Sequence, residues 1–438
     1  MTENMSTTAT TLRPARPRNV GRIVVWSLFA LALAFAPLVF RSSLALTMLS
    51  QMGYLIIIML SYNILLGQGG MLSFGHAVYT GMGSFIAIHT MNLATQGKFS
   101  MPVVLIPLVG GLGGMFFAIL FGFVTTKKAG TTFAMITLGI GELVASMSLM
   151  FPDFFGGEGG VTTDRTYGGS FLGLTFGPQI QVYYLIAVYC FIATALMFAF
   201  TGTPLGRILN AVRDNPERVE FIGYNTQRVR YFAFIVAGFF AGIGGGLAAI
   251  NFEIVNVSDS LSGARSGSYL LFTFLGGATF FFGPIIGAVL LVLASVLLSE
   301  ISKAWLLYLG LIFLFMVMFA PGGVASLVMM NLRVARFGRF RTLLGSYAGL
   351  FLTCALMVVG IGALVEMVYH MQLDSALGPE VPYAGLTLDT SSATAWLAGA
   401  AVALVGFALF EVMRRRFLRV WGHEQELIEA DLKRLEKP

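Results

Sequence analysis

The stretch "GQGGMLSFGHAVYTGMGSF" (residues 67–85) sits between long apolar runs. It holds six glycines, a histidine, a glutamine and two serines. A soluble loop is less apolar, and an ordinary membrane helix carries less glycine. Irregular polar backbone at membrane depth is tolerated only where protein or a water-filled cavity covers it. The stretch therefore predicts a broken or closely packed helix at 67–75, inside a membrane-embedded core.

The whole composition agrees. Hydrophobic residues make up 57% of the 438 and charged residues 11%, against about 25% charged in a soluble domain. The mean hydropathy is +0.82. No soluble fold of this size has the interior for that much apolar surface. The alternating ten-residue segments of a β-barrel are absent. The fold class is an all-α polytopic membrane protein. A crossing helix needs about 20 apolar residues. Candidate spans lie at 23–40, 44–66, 71–90, 102–124, 131–151, 182–202, 231–251, 266–282, 284–300, 304–320, 344–366 and 393–413. That gives about 10–12 transmembrane helices, the shorter ones being candidates for half-helices or re-entrant segments. The first run continues straight into the next without a cleavage site, so it reads as a retained helix and not a signal peptide.

The net charge of +6 does not call for nucleic acid, because the basic residues cluster at the ends of apolar runs. The clusters are Arg13, Arg16, Arg18 and Arg22; Lys127 and Lys128; Arg207, Arg213, Arg218, Arg228 and Arg230; Arg333, Arg336, Arg339 and Arg341; and Arg414, Arg415, Arg416 and Arg419. Alternate threading puts all of them on one side, which the positive-inside rule makes the cytoplasm, together with both termini. The chain divides into a basic N-terminal segment (1–22), a transmembrane core (23–330), an extension with two further helices (331–413) and a charged tail (414–438). The loops at 152–181, 252–265 and 367–392 are poor in lysine and arginine and read as external. The first is a flexible connector or a docking surface. Glu253, Asp259 and Arg265 read as solvated residues near external span ends. The tail reads as a short solvated or surface helix with Leu427, Ile428, Leu432 and Leu435 along one side, or as a packing helix for a partner.

Enzymatic signals are missing. There is no G-x-x-x-x-G-K-[ST] loop for a nucleotide and no Cys/His spacing for a metal. Cys190 and Cys354 fall inside apolar spans and read as small buried residues. No cofactor is implied.

Two other features stand out. The loop "TPLGRILNAVRDNPERVEFIGYNTQRVRYFAF" (203–234) has apolar positions at helical spacing, interrupted at Pro216. Asp214 or Asn215 can cap a second helix there, and Gly223 can stop it. It reads as one or two amphipathic helices on the inner face, either interfacial anchors or a dock for a cytoplasmic subunit. The second feature is "FLGGATFFFGPIIGAVL" (274–290), another glycine-rich interruption. Paired interruptions in the two halves of a core are what an internal, inverted repeat produces, and they point to a transport pathway. Close packing of small residues is the competing explanation. The polar residues Asn63, Gln68, Ser73 and His76 gather at the first interruption, and Glu142 lies within a span. An ionisable residue at that depth is costly and often functional.

These segments resemble a known family. "LLGQGGMLSFGHAVYTGMGSF", "TPLGRILNAVRDNPERVEFIGYN", "FTFLGGATFFFGPIIGA" and "MFAPGGVASL" stand, in order, like the signature segments of LivM-like permeases of branched-chain amino acid ABC importers. The resemblance covers roughly 45–330. It implies a permease that pairs with a second related permease, two cytoplasmic ATPase subunits and a periplasmic substrate-binding protein in a bacterial inner membrane. It matches 68–76 and 276–284 to the family's pathway segments; with Asn63 and Glu142, singled out above as polar residues within spans, the pathway candidates are Asn63, Gln68, Gly69, Gly70, Ser73, Phe74, Gly75, His76, Glu142, Gly276, Gly277, Gly283 and Pro284. It makes Gly206, Arg207, Ala211, Arg213, Asn215, Glu217, Glu220 and Gly223 the ATPase-coupling loop. Ala320 departs from the family's arginine, and phenylalanines replace smaller residues at 280–282. The region 331–438 lies beyond the usual core. Related permeases for urea, short amides or aromatic acids are alternatives. So is a stand-alone ion-coupled transporter with His76 and Glu142 as coupling groups.

Overall fold

A computed structural model describes residues 20–435 apart from 99, 168–174, 321, 339, 374–377 and 384. Arg13, Arg16, Arg18 and Arg339 lie outside the described residues, as do the placements of the Leu432 and Leu435 side chains.

In chain order the helices are α1 (Val20–Val39), α2 (Ser43–Asn63), α3 (His76–Thr95), α4 (Ile106–Thr125), α5 (Gly130–Met150), α6 (Pro152–Phe155), α7 (Gln179–Gly202), α8 (Pro204–Asp214) and α9 (Pro216–Phe221). There follow α10 (Thr226–Phe252), α11 (Val257–Ser260), α12 (Gly263–Gly276), α13 (Gly283–Leu293), α14 (Ser299–Ile301), α15 (Trp305–Phe319), α16 (Gly323–Arg336), α17 (Phe340–Leu373) and α18 (Ala393–Leu435). Two small antiparallel pairs complete the described chain: β1 (Val161–Thr162) with β2 (Ile254–Val255), and β3 (Glu380–Tyr383) with β4 (Leu386–Asp389). The chain is an all-α polytopic membrane protein.

Among the described residues, eight helices are long and apolar enough to cross a bilayer, or up to nine if α15 and α16, bent by 51°, form one span. The other expected spans are shorter or more polar. The 20-residue α3 begins at His76, and not at 71 as expected, because the glycine-rich stretch stays out of the helix. The 14-residue α12 and 11-residue α13 are each too short to cross alone.

At the centre stands α10, packed against α4, α3 and α2. Its approach to α4 is backbone on backbone. A Cβ on Gly242 would strike the Gly110 carbonyl and meet Gly114 Cα at 3.0 Å, and one on Gly114 would strike the Gly238 carbonyl. Among lipid tails there is no hydrophobic drive to bring helices together, so close packing through small residues carries the association. A kink-former explains the docking of α1. Pro37 has no N–H for the Leu33 carbonyl, and Tyr183 of α7 donates its OH to that oxygen at 2.6 Å.

Described members of three basic clusters lie at the end where α7 leads into α8 and α10 begins. Arg22 stacks over Phe198 near the end of α7, and Lys127 shares a cavity with Tyr224 and Arg230. At the opposite end the 152–181 loop is tied down. Arg165 is buried, and its guanidinium donates to the carbonyls of Ile250 and Asn251 at the C-terminus of α10 and to Gly177 O at 2.9 Å. Its backbone N–H bonds Glu253 Oε1 at 3.0 Å. A cation over a helix C-terminus is also favoured by the helix dipole. The described part of this loop is thus anchored. Glu253 and Arg265 correct the expectation of solvated charges. Both are half-buried, Glu253 on Arg165 and Arg265 with its Nε donating to Tyr269 OH at 3.3 Å. Asp259 is exposed as expected.

The extension forms a helical hairpin, α17 against α18. Gly360 lies on the backbone of Ala403, and Gly406 on that of Met357. It is joined to the core where Glu366 accepts from Ser302 Oγ and from Tyr308 OH at 3.0 Å. The tail is not a separate helix. No proline interrupts 393–435, and α18 runs through it without a break. Ile428 is buried against Val334 and Leu343, beside Phe337, Phe417 and Trp421.

Glycine packing at the centre gives a test of sign. Gly242→Ala overpacks the α4–α10 contact and should cost roughly 1–3 kcal/mol. Gly310→Ala faces open space and should be neutral or gain up to about 1 kcal/mol of helix propensity. Thermal unfolding of the purified chain in detergent, followed by intrinsic fluorescence, checks both. A Gly242→Ala chain that melts no lower than the parent refutes the contact.

Candidate functional site at two helix breaks and a coupling loop

The end of α2 widens into a π-helical turn, Ile64–Gln68, and the chain then leaves the helix until His76. Gly70 takes a left-handed φ of +63°, which glycine adopts without the Cβ penalty. The backbone groups freed by the break find partners inside the protein. Met71 N–H bonds Leu65 O at 2.8 Å, and Tyr62 OH donates to Ser73 O at 2.8 Å. Phe74 N–H bonds Thr137 Oγ1 at 3.1 Å, and Ala77 N–H bonds Ser266 Oγ at 3.0 Å. A Cβ on Gly75 would strike the Thr137 carbonyl, so the break sits directly on α5.

His76 is fully buried. Its Nε2 lies 2.9 Å from Ser61 Oγ, which itself donates to Ile58 O at 2.6 Å. The hydroxyl proton is therefore committed, and the arrangement assigns the ring proton to Nε2. Tyr62 and Tyr79 flank the ring edge-on, with centroids at 5.0 and 6.1 Å. This is a structural hydrogen bond at the start of α3. Three buried polar atoms beside it lack a partner among the described residues: His76 Nδ1, Asn63 Oδ1 and Ser73 Oγ.

The second break separates α12 from α13 at residues 277–282. Gly277 has φ +113°. Gly276, Gly283 and Gly287 let the two helices meet backbone to backbone, since a Cβ on Gly276 or Gly283 would strike the other segment's carbonyl. Pro284 fits the first turn of α13, where no N–H is needed. Gly323, at φ +67°, lies against Gly277, as does the Gly322 carbonyl, so these two residues close over this break.

The two breaks touch. Asn63 Nδ2 donates to Ala278 O at 2.9 Å across 215 residues of sequence. A Cβ on Gly67 would strike the same carbonyl.

The loop expected at 203–234 is a pair of helices, α8 and α9, and ends earlier than expected, since α10 already begins at Thr226. Thr203 caps α8 by accepting from Gly206 N–H, and Asn215 caps α9 by accepting from Arg218 N–H. Of the two capping candidates it is Asn215 that does so. Gly223, at φ +90°, ends the pair. The inner side of α8 lies on the first break. Arg213 Nη1 donates to Gly67 O, and Asn210 Nδ2 donates to Gln68 Oε1 at 2.8 Å. The side chain of Leu209 lies against Gly69, and that of Arg213 against Gly70. The outer side carries Arg207, Ala211, Glu217 and Glu220, all exposed, while Gly206 is buried. Beyond them Phe221 is 89% and Ile222 70% exposed, too apolar for a solvated tip.

The candidates at the two breaks thus come together with Arg213, while Arg207, Ala211, Glu217, Glu220 and Gly223 stay on the exposed side of the helix pair and Glu142 is not drawn into the contact between the breaks. That carboxylate is exposed on α5, beside Gly263 at the start of α12. The residues that bind the breaks together but were not singled out are Ser61, Thr137, Asn210 and Ser266. Their signal is slight: single hydroxyls or an amide in otherwise ordinary runs. No group of three or more His, Cys, Asp or Glu positioned for a metal occurs among the described residues.

Comparison with known proteins agrees with this architecture. Residues 44–321 match the family described as branched-chain amino acid transport system / permease component. The high-affinity branched-chain amino acid transport system permease protein LivM of Escherichia coli (strain K12) is 25% identical over 335 residues, covering 72% of this chain and 77% of that protein. Its counterpart in Salmonella typhimurium is 25% identical over 334 residues, with the same coverage. No solved structure matches. The matched region contains both helix breaks and the α8–α9 pair, and the chain belongs to the family of permease components of branched-chain amino acid transport systems.

Proposed function

We propose that this chain is the membrane-spanning subunit of an ATP-driven importer, carrying branched-chain or other hydrophobic amino acids into a bacterial cytoplasm by alternating access. The observation that carries the reading is the seat of α8 on the first helix break, through Arg213 on Gly67 O and Asn210 on Gln68. A displacement of α8 pulls directly on the backbone of the break. Asn63 passes it to the second break at Ala278. Two breaks in register give the helices α2–α3 and α12–α13 a place to bend, which is what alternating access requires.

The basic end is the cytoplasmic one by the positive-inside rule, and both termini lie there. The exposed outer side of α8 and α9 is the dock for an ATPase subunit, with Phe221 and Ile222 as its apolar anchors. Two ATPases supply the nucleotide chemistry. The anchored loop over α10, at the opposite end, receives the periplasmic binding protein. Glu142 supports the second, related permease. A carboxylate near the middle of a lipid-facing helix costs about 2.5–3.5 kcal/mol. A partner subunit, or a water path shared with it, removes that cost. The names of the two relatives support a branched-chain amino acid as substrate.

The test is reconstitution of the chain with its partner subunits. Uptake of labelled leucine should require internal ATP and be competed by unlabelled branched-chain amino acids. Uptake driven by a proton gradient without ATP would falsify the importer reading. Competition by urea or aromatic acids, but not by leucine, would reassign the substrate.

Two variants probe the coupling. Phe221→Asp removes an aromatic anchor that a docked ATPase would bury, each of which is worth about 2 kcal/mol or more. It should reduce ATPase co-purification by roughly 30-fold. Arg213→Ala should leave the ATPases bound, yet lower the substrate transported per ATP. Unchanged transport per ATP in Arg213→Ala would show that α8 does not act through the first break.

A further inference from the structure

We infer that the basic end of the chain holds a site for an anionic phospholipid, with the phosphate headgroup between Lys127 and Arg230 and an acyl chain along α4 and α10. A polar cavity of about 560 Å³ lies between the α4–α5 connection and the α9–α10 connection. Lys127, Tyr224, Thr226 and Arg230 line it, with Glu220. It adjoins a second hollow of about 510 Å³ and shares Asn225 and Gln227 with it. The second hollow is apolar in character, lined by Phe123, Tyr231 and Phe232, and carries Arg228 at its edge. Phe123 and Phe232 are more than half exposed on spanning helices. One hollow is cationic and polar, the other aromatic, and the boundary between them falls where α4 ends at Thr125 and α10 begins at Thr226. That is the shape and depth of an amphiphile at the inner surface of a bilayer.

The charges suit the same ligand. Among the described residues, no carboxylate lies within ion-pair distance of Lys127, Arg228 or Arg230. The Glu220 carboxylate accepts from Thr226 Oγ1 at 2.7 Å and is the acidic group of the polar hollow, whose lining keeps a net positive charge from Lys127 and Arg230. The Lys127 ammonium lies 4.5 Å over the Phe123 ring, which holds it at the junction of the two hollows. Basic pockets between spanning helices on the cytoplasmic side are suited to anionic headgroups. An acidic side chain of a docked protein would fill the polar hollow but leave the aromatic one open, so the pair of hollows favours a lipid. Glu220, Gly223 and Tyr224 belong to the α8–α9 loop and its exit, so the bound headgroup braces the loop that rests on the first helix break.

The experiment does not depend on what the chain transports. The purified full chain is titrated with phosphatidylglycerol or phosphatidylcholine in native mass spectrometry. The parent should prefer phosphatidylglycerol, and equal retention of the two lipids overturns the site whatever any variant does. The double variant Lys127→Gln, Arg230→Gln should bind phosphatidylglycerol about 30-fold more weakly, from the loss of two interfacial cations. Lys127→Arg, which keeps the cation, should bind phosphatidylglycerol as the parent does, whereas Lys127→Gln should bind it more weakly. Full displacement of the lipid by an equal concentration of inorganic phosphate would assign the site to a free anion. Unchanged lipid binding in the double variant, with loss of ATPase co-purification, would assign it to a protein carboxylate.

Discussion

The structure depends on one constraint. A helix that breaks inside a bilayer exposes N–H and C=O groups that lipid cannot satisfy, each unsatisfied group costing several kcal/mol. The protein meets this at 69–77 with side chains from three helices: Tyr62 of α2, Thr137 of α5 and Ser266 of α12. At the second break Asn63 covers the Ala278 carbonyl. The breaks are therefore possible only together with the helices that surround them, and their positions fix how α2, α3, α5 and α12 pack.

The same constraint explains why the glycines recur. At Gly67, Gly75, Gly276 and Gly283 a Cβ would occupy the place of a neighbouring carbonyl oxygen. Pathway lining and close packing were competing explanations for these residues. The geometry shows close backbone packing at each of them, and the mobility proposed for the breaks acts through that packing. His76 follows the same logic. Its bond to Ser61 fixes the start of α3, and the ring is sealed by tyrosines.

The extension beyond 330 is attached at its two ends. At one end Glu366 is held by Ser302 and Tyr308. At the other, Ile428 seals a small apolar cluster with Val334 and Leu343. The hairpin thereby clasps the stretch that includes α15 and α16, the helices whose junction at Gly323 covers the second break.

Much of this was legible in the amino-acid order. Runs of apolar residues near the bilayer thickness determine a polytopic helical fold, because only such helices satisfy their own backbone in lipid. Gly-Gly pairs with polar neighbours mark where helices stop, and Thr203, Asn215 and Gly223 mark the limits of α8 and α9, because capping is local. What the sequence could not state was contact between distant segments. That Asn63 reaches Ala278, that Arg213 reaches Gly67, and that Glu142 comes beside Gly263 were decided by tertiary structure alone. Each depends on how far two helices are separated in space, and for side chains 146 and 215 residues apart along the chain no local periodicity carries that distance.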